Sequence, residues 1–294
     1  MIPAGRRHIV YGSRSDEIRL WNFADLHHGN RGVAHDKLKA DIQRVKDDPY
    51  SFFMLGGDMI EAIGYRDKRF DPEILDEAIP AKDLGALGVR LMSDVRDMFK
   101  PVAHKCIGVM DGNHETVYQI ATEQQHLVHW LCVELGVPYM GYSCFFDLVF
   151  VRKSRVSAPT LLLNTGKPHK LLSNVGDLHC WSVRFFAHHG AGYAQTPGGK
   201  LNKLIQFMDY FQADVTFIAH IHDQEAKRLV RLRADDKCEH LVDIPQLGIV
   251  TGSYLRTYAE GPAGYGEKKG YRPVPLGAVA AKFTPDKHDM HAEI

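Results

Sequence analysis

The chain has 294 residues, 45% of them hydrophobic and 24% charged, with 36 basic residues set against 36 acidic ones. That is ample chain for a large buried core, and the zero formal net charge excludes a global basic footprint for nucleic acid, leaving only a local one. Two early arginines, Arg6 and Arg7, are followed by no apolar segment, so no secretory signal is expected. No uninterrupted apolar run is long enough to span a membrane. The five cysteines are scattered and form no CxxC pair, which argues against a disulfide framework or a cysteine zinc site and favours the cytoplasm. Seventeen histidines are the unusual feature, because imidazole is the commonest metal ligand.

In chain order, "EIRLWNFAD" (17–25) reads as the first buried strand and 34–48 as an amphipathic helix. "YSFFMLGGD" (50–58) is a second apolar run closed by glycines, and 60–80 is loop-like. A helix is expected over 83–99, with Leu84, Leu87, Leu91, Val95 and Met98 on one face. "KCIGVMDGN" reads as a third strand, and one long helix is expected from Glu115 to its stop at Gly136, with Val117, Ile120, Leu127, Leu131 and Leu135 at helical spacing. Strands alternating with helices argue for a parallel core. The second half is richer in strands ("CFFDLVFVRK", "APTLLLNTG", "WSVRFFAHH", "DVTFIAH", "LGAVAAKFT"), with one more helix over 200–212. No repeat or convincing linker interrupts the chain, so residues 1–294 read as a single α/β domain with a mixed sheet system.

Ligand groups in open α/β sheets sit at strand ends. Five strand ends here carry the same kinds of residue: Asp25 and His27 in "FADLHHG", Asp58 in "LGGDMIE", Asn113 and His114 in "DGNHE", His188 and His189 in "FFAHHG", and His220 and His222 in "FIAHIHD". Taken alone, an Asp after a strand is more often a turn or cap than a ligand. His220 and His222 are stronger, since residues two apart in an extended segment face the same side. Structural need does not place imidazoles and carboxylates at every strand terminus.

The series resembles the calcineurin-like metallophosphoesterases, whose pattern runs DxH, GD, GNH[D/E], a strand-end His, and GHxH. Here it stands as "DLH" at 25–27, "GD" at 57–58, "GNHE" at 112–115, "HH" at 188–189 and "AHIH" at 219–222, departing only in Ala219 for the usual Gly. The resemblance implies a four-layer α/β/β/α sandwich with two mixed β-sheets and two divalent metal ions at the strand ends. By position, Asp25, His27 and His222 would hold one ion, Asn113, His188 and His220 the other, and Asp58 would bridge both. His188 is chosen over His189 because related sites place the ligand two residues before the Gly, with His189 as the fallback. His114 would be the general acid and not a ligand, with Glu61 as its orienting carboxylate. Glu115 reads as a helix N-terminal charge.

Two carboxylates against two divalent ions leave a surplus of about +2, which suits a phosphoryl group. The same ions would lower the pKa of a bridging water, so that hydroxide attacks in line. A nitrogen and oxygen ligand set without thiolate favours Mn foremost, or Fe, Zn or Co, over Mg and Ca. Protein phosphatases of the family read "GDYVDRG" at the second motif; this chain reads "GDMIEAIG", with Ala62 where their phosphate-gripping Arg stands. Two loops are candidates for substrate selection: "GYRDKRF" (64–70), with Arg66, and "TYAEGPAGYGEKKGYRP" (257–273), with Tyr265, Lys268 and Lys269. Aromatics can stack bases and basic residues can follow a phosphate backbone. The expected activity is therefore a phosphodiesterase on nucleic acid or nucleotide-type diesters. The alternatives are a phosphomonoesterase on a small-molecule or protein substrate and, further off, a non-catalytic scaffold. Neither a membrane partner nor an oligomeric state is indicated.

Overall fold

The computed structural model describes residues 1–61, 63, 72–122, 126–163, 179–192, 194–261 and 263–294. Two sheets dominate it. The five-stranded sheet runs in the order β12 (Asp289–Glu293), β11 (Val279–Thr284), β2 (Ile18–Phe23), β3 (Ser51–Leu55), β4 (Cys106–Val109). The seven-stranded sheet runs β6 (Thr160–Leu163), β1 (Ile2–Tyr11), β5 (Ser143–Arg152), β7 (Cys180–His188), β8 (Val215–Ile218), β10 (Leu241–Thr251), β9 (Gln224–Ala234). Both are mixed: β2, β3 and β4 are parallel, as are β7, β8 and β10, while β11 and β9 pair antiparallel.

The period-two alternation of side chains assigns each strand residue to a layer. Leu20, Phe52, Met54 and Ile107 point between the sheets and meet Phe146, Phe185, Phe217 and Ile249 from the other one. Their neighbours Trp21, Phe53 and Leu55 point outward, onto Leu38 of α1 (His35–Asp47), Leu91 and Val95 of α2 (Leu87–Phe99), and Leu131 of α4 (Leu127–Leu135). On the far side, Leu204 and Met208 of α5 (Pro197–Tyr210) cover Ile218 and Val250. The layers are thus helix, sheet, sheet, helix, as expected. The apolar runs of β2 and β3 are covered on both faces, which is why they read as continuous rather than alternating.

Three sequence expectations change. The long helix is divided into α3 (Asn113–Thr122) and α4. His126 caps the second piece, its ring accepting from the His129 N–H at 3.4 Å. Leu84 falls in a 3₁₀ segment before α2 and is exposed. β1 was not anticipated, because Pro3, Gly5, Arg6 and Arg7 mask its pattern. It pairs with β5 through a register shift between Pro3 and Arg6, and the buried Arg7 side chain donates to the Ile107 carbonyl at 3.1 Å. Among the described residues no helix is long and apolar enough to cross a membrane.

Candidate metal centre

The parallel strands of both sheets end on the same side, and their following loops converge. β2 delivers Asp25 and His27, β3 delivers Asp58, and β4 leads through Gly112 into Asn113 and His114 at the start of α3. β7 delivers His189, and β8 delivers His220 and His222. Eight non-glycine residues among those described have positive φ, and five of them are Asp25, His27, Asp58, His220 and His222. Left-handed backbone in non-glycine residues is uncommon and gathers at functional sites.

Glycines make the approach possible. Gly57 has φ +93°, and a Cβ there would lie 2.5 Å from the Asp111 carbonyl oxygen and 2.6 Å from His189 Nδ1. A Cβ on Gly112 would lie 2.1 Å from both the Asp58 amide nitrogen and Oδ1. Any side chain at either position would push the β3 and β4 loops apart. Ala219, by contrast, has no positive φ, so its methyl group, where the resembled motif has glycine, adds no backbone strain.

The side chains form two groups, linked by the approach of Asp58 to His27 and His114. Asp25, His27 and His222 each offer a ligand atom to one common point; so do Asp58, His189 and His220. His27 Nε2 and His222 Nε2 face each other at 3.1 Å. His222 Nε2 lies 3.3 Å from Asp25 Oδ1, a buried oxygen that makes no hydrogen bond among the described residues. His189 Nε2 is 3.2 Å from Asp58 Oδ2 and 3.3 Å from Asn113 Oδ1. Two of the rings are oriented from behind: His27 Nδ1 donates to Glu61 Oε2 at 2.7 Å and His189 Nδ1 to the Gly56 carbonyl at 2.8 Å. Each bond leaves the Nε2 lone pair turned into the cluster, the arrangement typical of metal-ligating histidine. Converging lone pairs, a buried carboxylate oxygen without a hydrogen bond and fixed tautomers all fit divalent cations.

Without cations the charges settle among themselves. Burial works against the His189 and His27 imidazolium forms, but facing carboxylates win: Asp58 pushes His189 up to about 10, and Glu61 pushes His27 up to about 9. Burial likewise works to raise Asp58, and the His189 and His114 rings outweigh it, holding the carboxyl well below its ordinary range.

The structure corrects the choice between the adjacent histidines. His189 is fully buried in the cluster. His188 is the last residue of β7, so its side chain takes the other face; its Nδ1 accepts from the Gly190 N–H at 2.7 Å and its ring packs on Phe207 of α5. Glu61 is buried and stands between two rings, 2.7 Å from His27 Nδ1 and 3.5 Å from His114 Nδ1. His114 lies at the edge of the cluster, its Nε2 4.0 Å from Asp58 Oδ2, close enough to form a third possible ligand group with His27 and Asp58. Asn113, His220 and His222 lie in the same cluster.

Glu115 is not merely a helix charge. Its buried carboxylate accepts from four backbone N–H groups, those of Asp58, Met59, Ile60 and Gly112, at 2.5 to 3.2 Å. It closes the β3 loop onto the β4 loop. Two further supports carry no motif in the sequence. Ser253 Oγ and Tyr254 N–H, at the end of β10, both donate to the Asp25 carbonyl, at 3.1 and 3.0 Å. Lys200 and Asp223 form a buried pair at 2.9 Å, and Lys200 also donates to the His222 carbonyl at 3.2 Å. The "NHE" spacing held the signal for Glu115; an isolated Lys and Asp held none.

The cluster forms the floor of a cleft of about 520 Å³. Of the expected substrate residues, Arg66 lies outside the described residues, as does the Tyr265 side chain. Lys268 and Lys269 close the one-turn helix α6 (Tyr265–Lys268) and the turn after it; both are exposed and do not line the cleft. Arg31, Arg256, Tyr271 and Arg272 line it instead.

No protein-family model and no curated protein matches the chain. Among solved structures, the chain is similar to a conserved protein of Streptococcus pneumoniae TIGR4 described as a predicted phosphoesterase, at 11% identity and TM-score 0.30 over 91% of this chain and 82% of that one. It is also similar to the calcineurin-like phosphoesterase YfkN of Bacillus subtilis, at 14% identity and TM-score 0.28 over 71% of this chain, which spans 63% of that one. At such values the likeness carries nothing about chemistry, and the functional reading rests on the converging side chains.

Proposed function

We propose that this chain is a phosphoester hydrolase of the calcineurin-like metallophosphoesterase type, that it uses two divalent metal ions, and that it prefers diesters of nucleic-acid or nucleotide type. The observation that carries the reading is the buried Asp58 carboxylate, which groups with His189 and His220 on one side and with His27 and His114 on the other, beside the Asp25, His27 and His222 group at the floor of an open cleft. Asp25, His27 and His222 would hold one ion; Asn113, His189 and His220 would hold the other; Asp58 would serve both. Mn is the first choice, with Fe, Zn or Co as alternatives, because the donors are nitrogen and oxygen without thiolate. Two such ions supply Lewis acidity and a water that ionises near neutral pH.

The chain's own residues do the rest. Asp25 and Asp58 supply two negative charges and Asn113 none, so that two bound divalent ions would leave a net positive floor suited to an anionic phosphoryl group. Glu61 fixes the His27 ring and stands beside His114. His114 lines the cleft and hands a proton to the departing oxygen, general-acid work worth roughly 10²–10⁴ in rate.

The test is hydrolysis by Mn-loaded protein of bis-p-nitrophenyl phosphate and p-nitrophenyl phosphate. Turnover of the diester in excess of the monoester is expected. No turnover of either, with bound metal verified, ends the enzyme reading; a strong monoester preference replaces the diesterase by a phosphomonoesterase. His114→Ala should lower turnover by about 10²-fold or more while metal content holds. Loss of metal in that variant instead makes His114 a ligand, the second reading its approach to Asp58 allows.

A further inference from the structure

The cleft is larger and more cationic than one phosphoryl group requires. Among the described residues, the acidic ones that line it are Asp58 and Glu61, both already committed to the cluster, while four basic ones line it: Arg31, Lys200, Arg256 and Arg272. Lys200 is neutralised where it stands by Asp223, at 2.9 Å. The arginines are in a different situation. Arg256, just past β10, gives one N–H to the Val33 carbonyl at 3.1 Å, which anchors the guanidinium while using one of its five donors. Arg31 lies 3.3 Å from Glu77, whose side chain is 83% exposed, an ion pair that solvent screens and a stronger anion can displace. Arg272 is exposed on the same wall. Tyr271, Ile63 and Leu255 line the space with them and give it an apolar component.

Three guanidinium-bearing residues around one space, with no carboxylate among the described cleft-lining residues beyond the two of the cluster, call for an anion from the ligand. Guanidinium grips phosphate bidentately and more specifically than ammonium does. The geometry points to a second phosphate subsite: the substrate is a nucleoside phosphoester that carries a further phosphate, held by Arg31, Arg256 and Arg272 while the ester to be cleaved lies on the cluster. The apolar component receives the sugar and base between the two. This rests on the phosphoesterase reading and narrows its substrate to a nucleoside ester with at least two phosphates, either a 5′-phosphorylated oligonucleotide or a nucleoside polyphosphate.

The test uses the metal-loaded full chain and equilibrium binding of dithymidine ligands joined by an uncleavable phosphonate linkage, with and without a 5′-phosphate. The 5′-phosphate should tighten binding by about tenfold or more. The preference should disappear in Arg256→Ala with Arg272→Ala, and return in part with lysine at both positions. Equal affinities in the wild-type chain overturn the subsite, as does a preference that survives the double substitution. Competition by thymidine diphosphate as strong as by the phosphorylated dimer assigns the second phosphate to a nucleoside polyphosphate; weaker competition assigns it to an oligonucleotide. Binding is scored apart from turnover. If the 5′-phosphate preference depends on the arginines but neither p-nitrophenyl ester is cleaved, the subsite stands and the hydrolase reading falls; turnover with no preference gives the reverse.

Discussion

The two sheets reach the candidate metal centre in different ways. The five-stranded sheet brings Asp25, His27, Asp58, Asn113 and His114 on loops tied to one another: Asp25 N–H donates to the Gly57 carbonyl, His27 N–H to the Asp58 carbonyl, and four amides enter Glu115. The seven-stranded sheet brings His189, His220 and His222, and all three meet the first sheet, His222 Nε2 at 3.1 Å from His27 Nε2. His189 Nδ1 donates to the Gly56 carbonyl, and His220 N–H to Asp25 Oδ2 at 2.8 Å. One half is a self-bonded cradle and the other is docked onto it. Damage to the cradle should therefore spread to both of the proposed ions, and damage to the docked half should stay local.

The largest effect is expected at Asp58, the one side chain both ions would share. Asp58→Ala should strip both, cutting turnover by about 10³-fold or more; metal analysis that finds one ion retained breaks the idea of a shared carboxylate. Glu115→Ala comes next. It leaves four buried N–H groups without their acceptor and should cost about 3–5 kcal/mol by denaturant midpoint, with metal lost from both positions; a change under about 1 kcal/mol would show that the cradle holds without it. His189→Ala should weaken one ion by about 10–100-fold, whereas His188→Ala should leave metal binding nearly unchanged; the opposite ranking returns the ligand to His188. The smallest effect is graded with pH. In the metal-free chain His27 and His189 hold their protons up to about 9 and about 10, so an arriving ion must expel them. Apparent affinity should rise with pH through neutrality and level off above about 10, and calorimetry in buffers of different ionisation enthalpy should show proton release. Affinity independent of pH would mean that neither ring is a ligand.

The sequence carried most of the cradle, because its residues stand in short motifs straight after apolar runs: a carboxylate or amide next to Gly, then imidazole. It carried the docked half less well. In "AHHG" both histidines fit a motif read by counting back from Gly190, and only the strand phase at the end of β7 decides that His188 faces α5 while His189 turns into the cluster. Long-range supports were not legible at all. Lys200 meets Asp223 from a different element, and Ser253 with Tyr254 meets Asp25 from the far end of the chain; no local pattern encodes such meetings. β1 escaped because its polar and glycine residues break the period on which strand reading depends.

The five left-handed residues of the centre have a consequence for substitution. Asp, Asn and His tolerate that backbone region better than other side-chain-bearing residues, so the chemistry that binds metal and the geometry that turns the chain draw on the same few residue types. Replacing Asp25, His27, Asp58, His220 or His222 by alanine removes a ligand and also installs a residue poorly suited to its φ. Asparagine or glycine removes charge or ligand while keeping the turn. Paired alanine and asparagine variants at one position would therefore separate two quantities that a single knockout confounds, the affinity for the ion and the conformational cost of holding the loop ready for it.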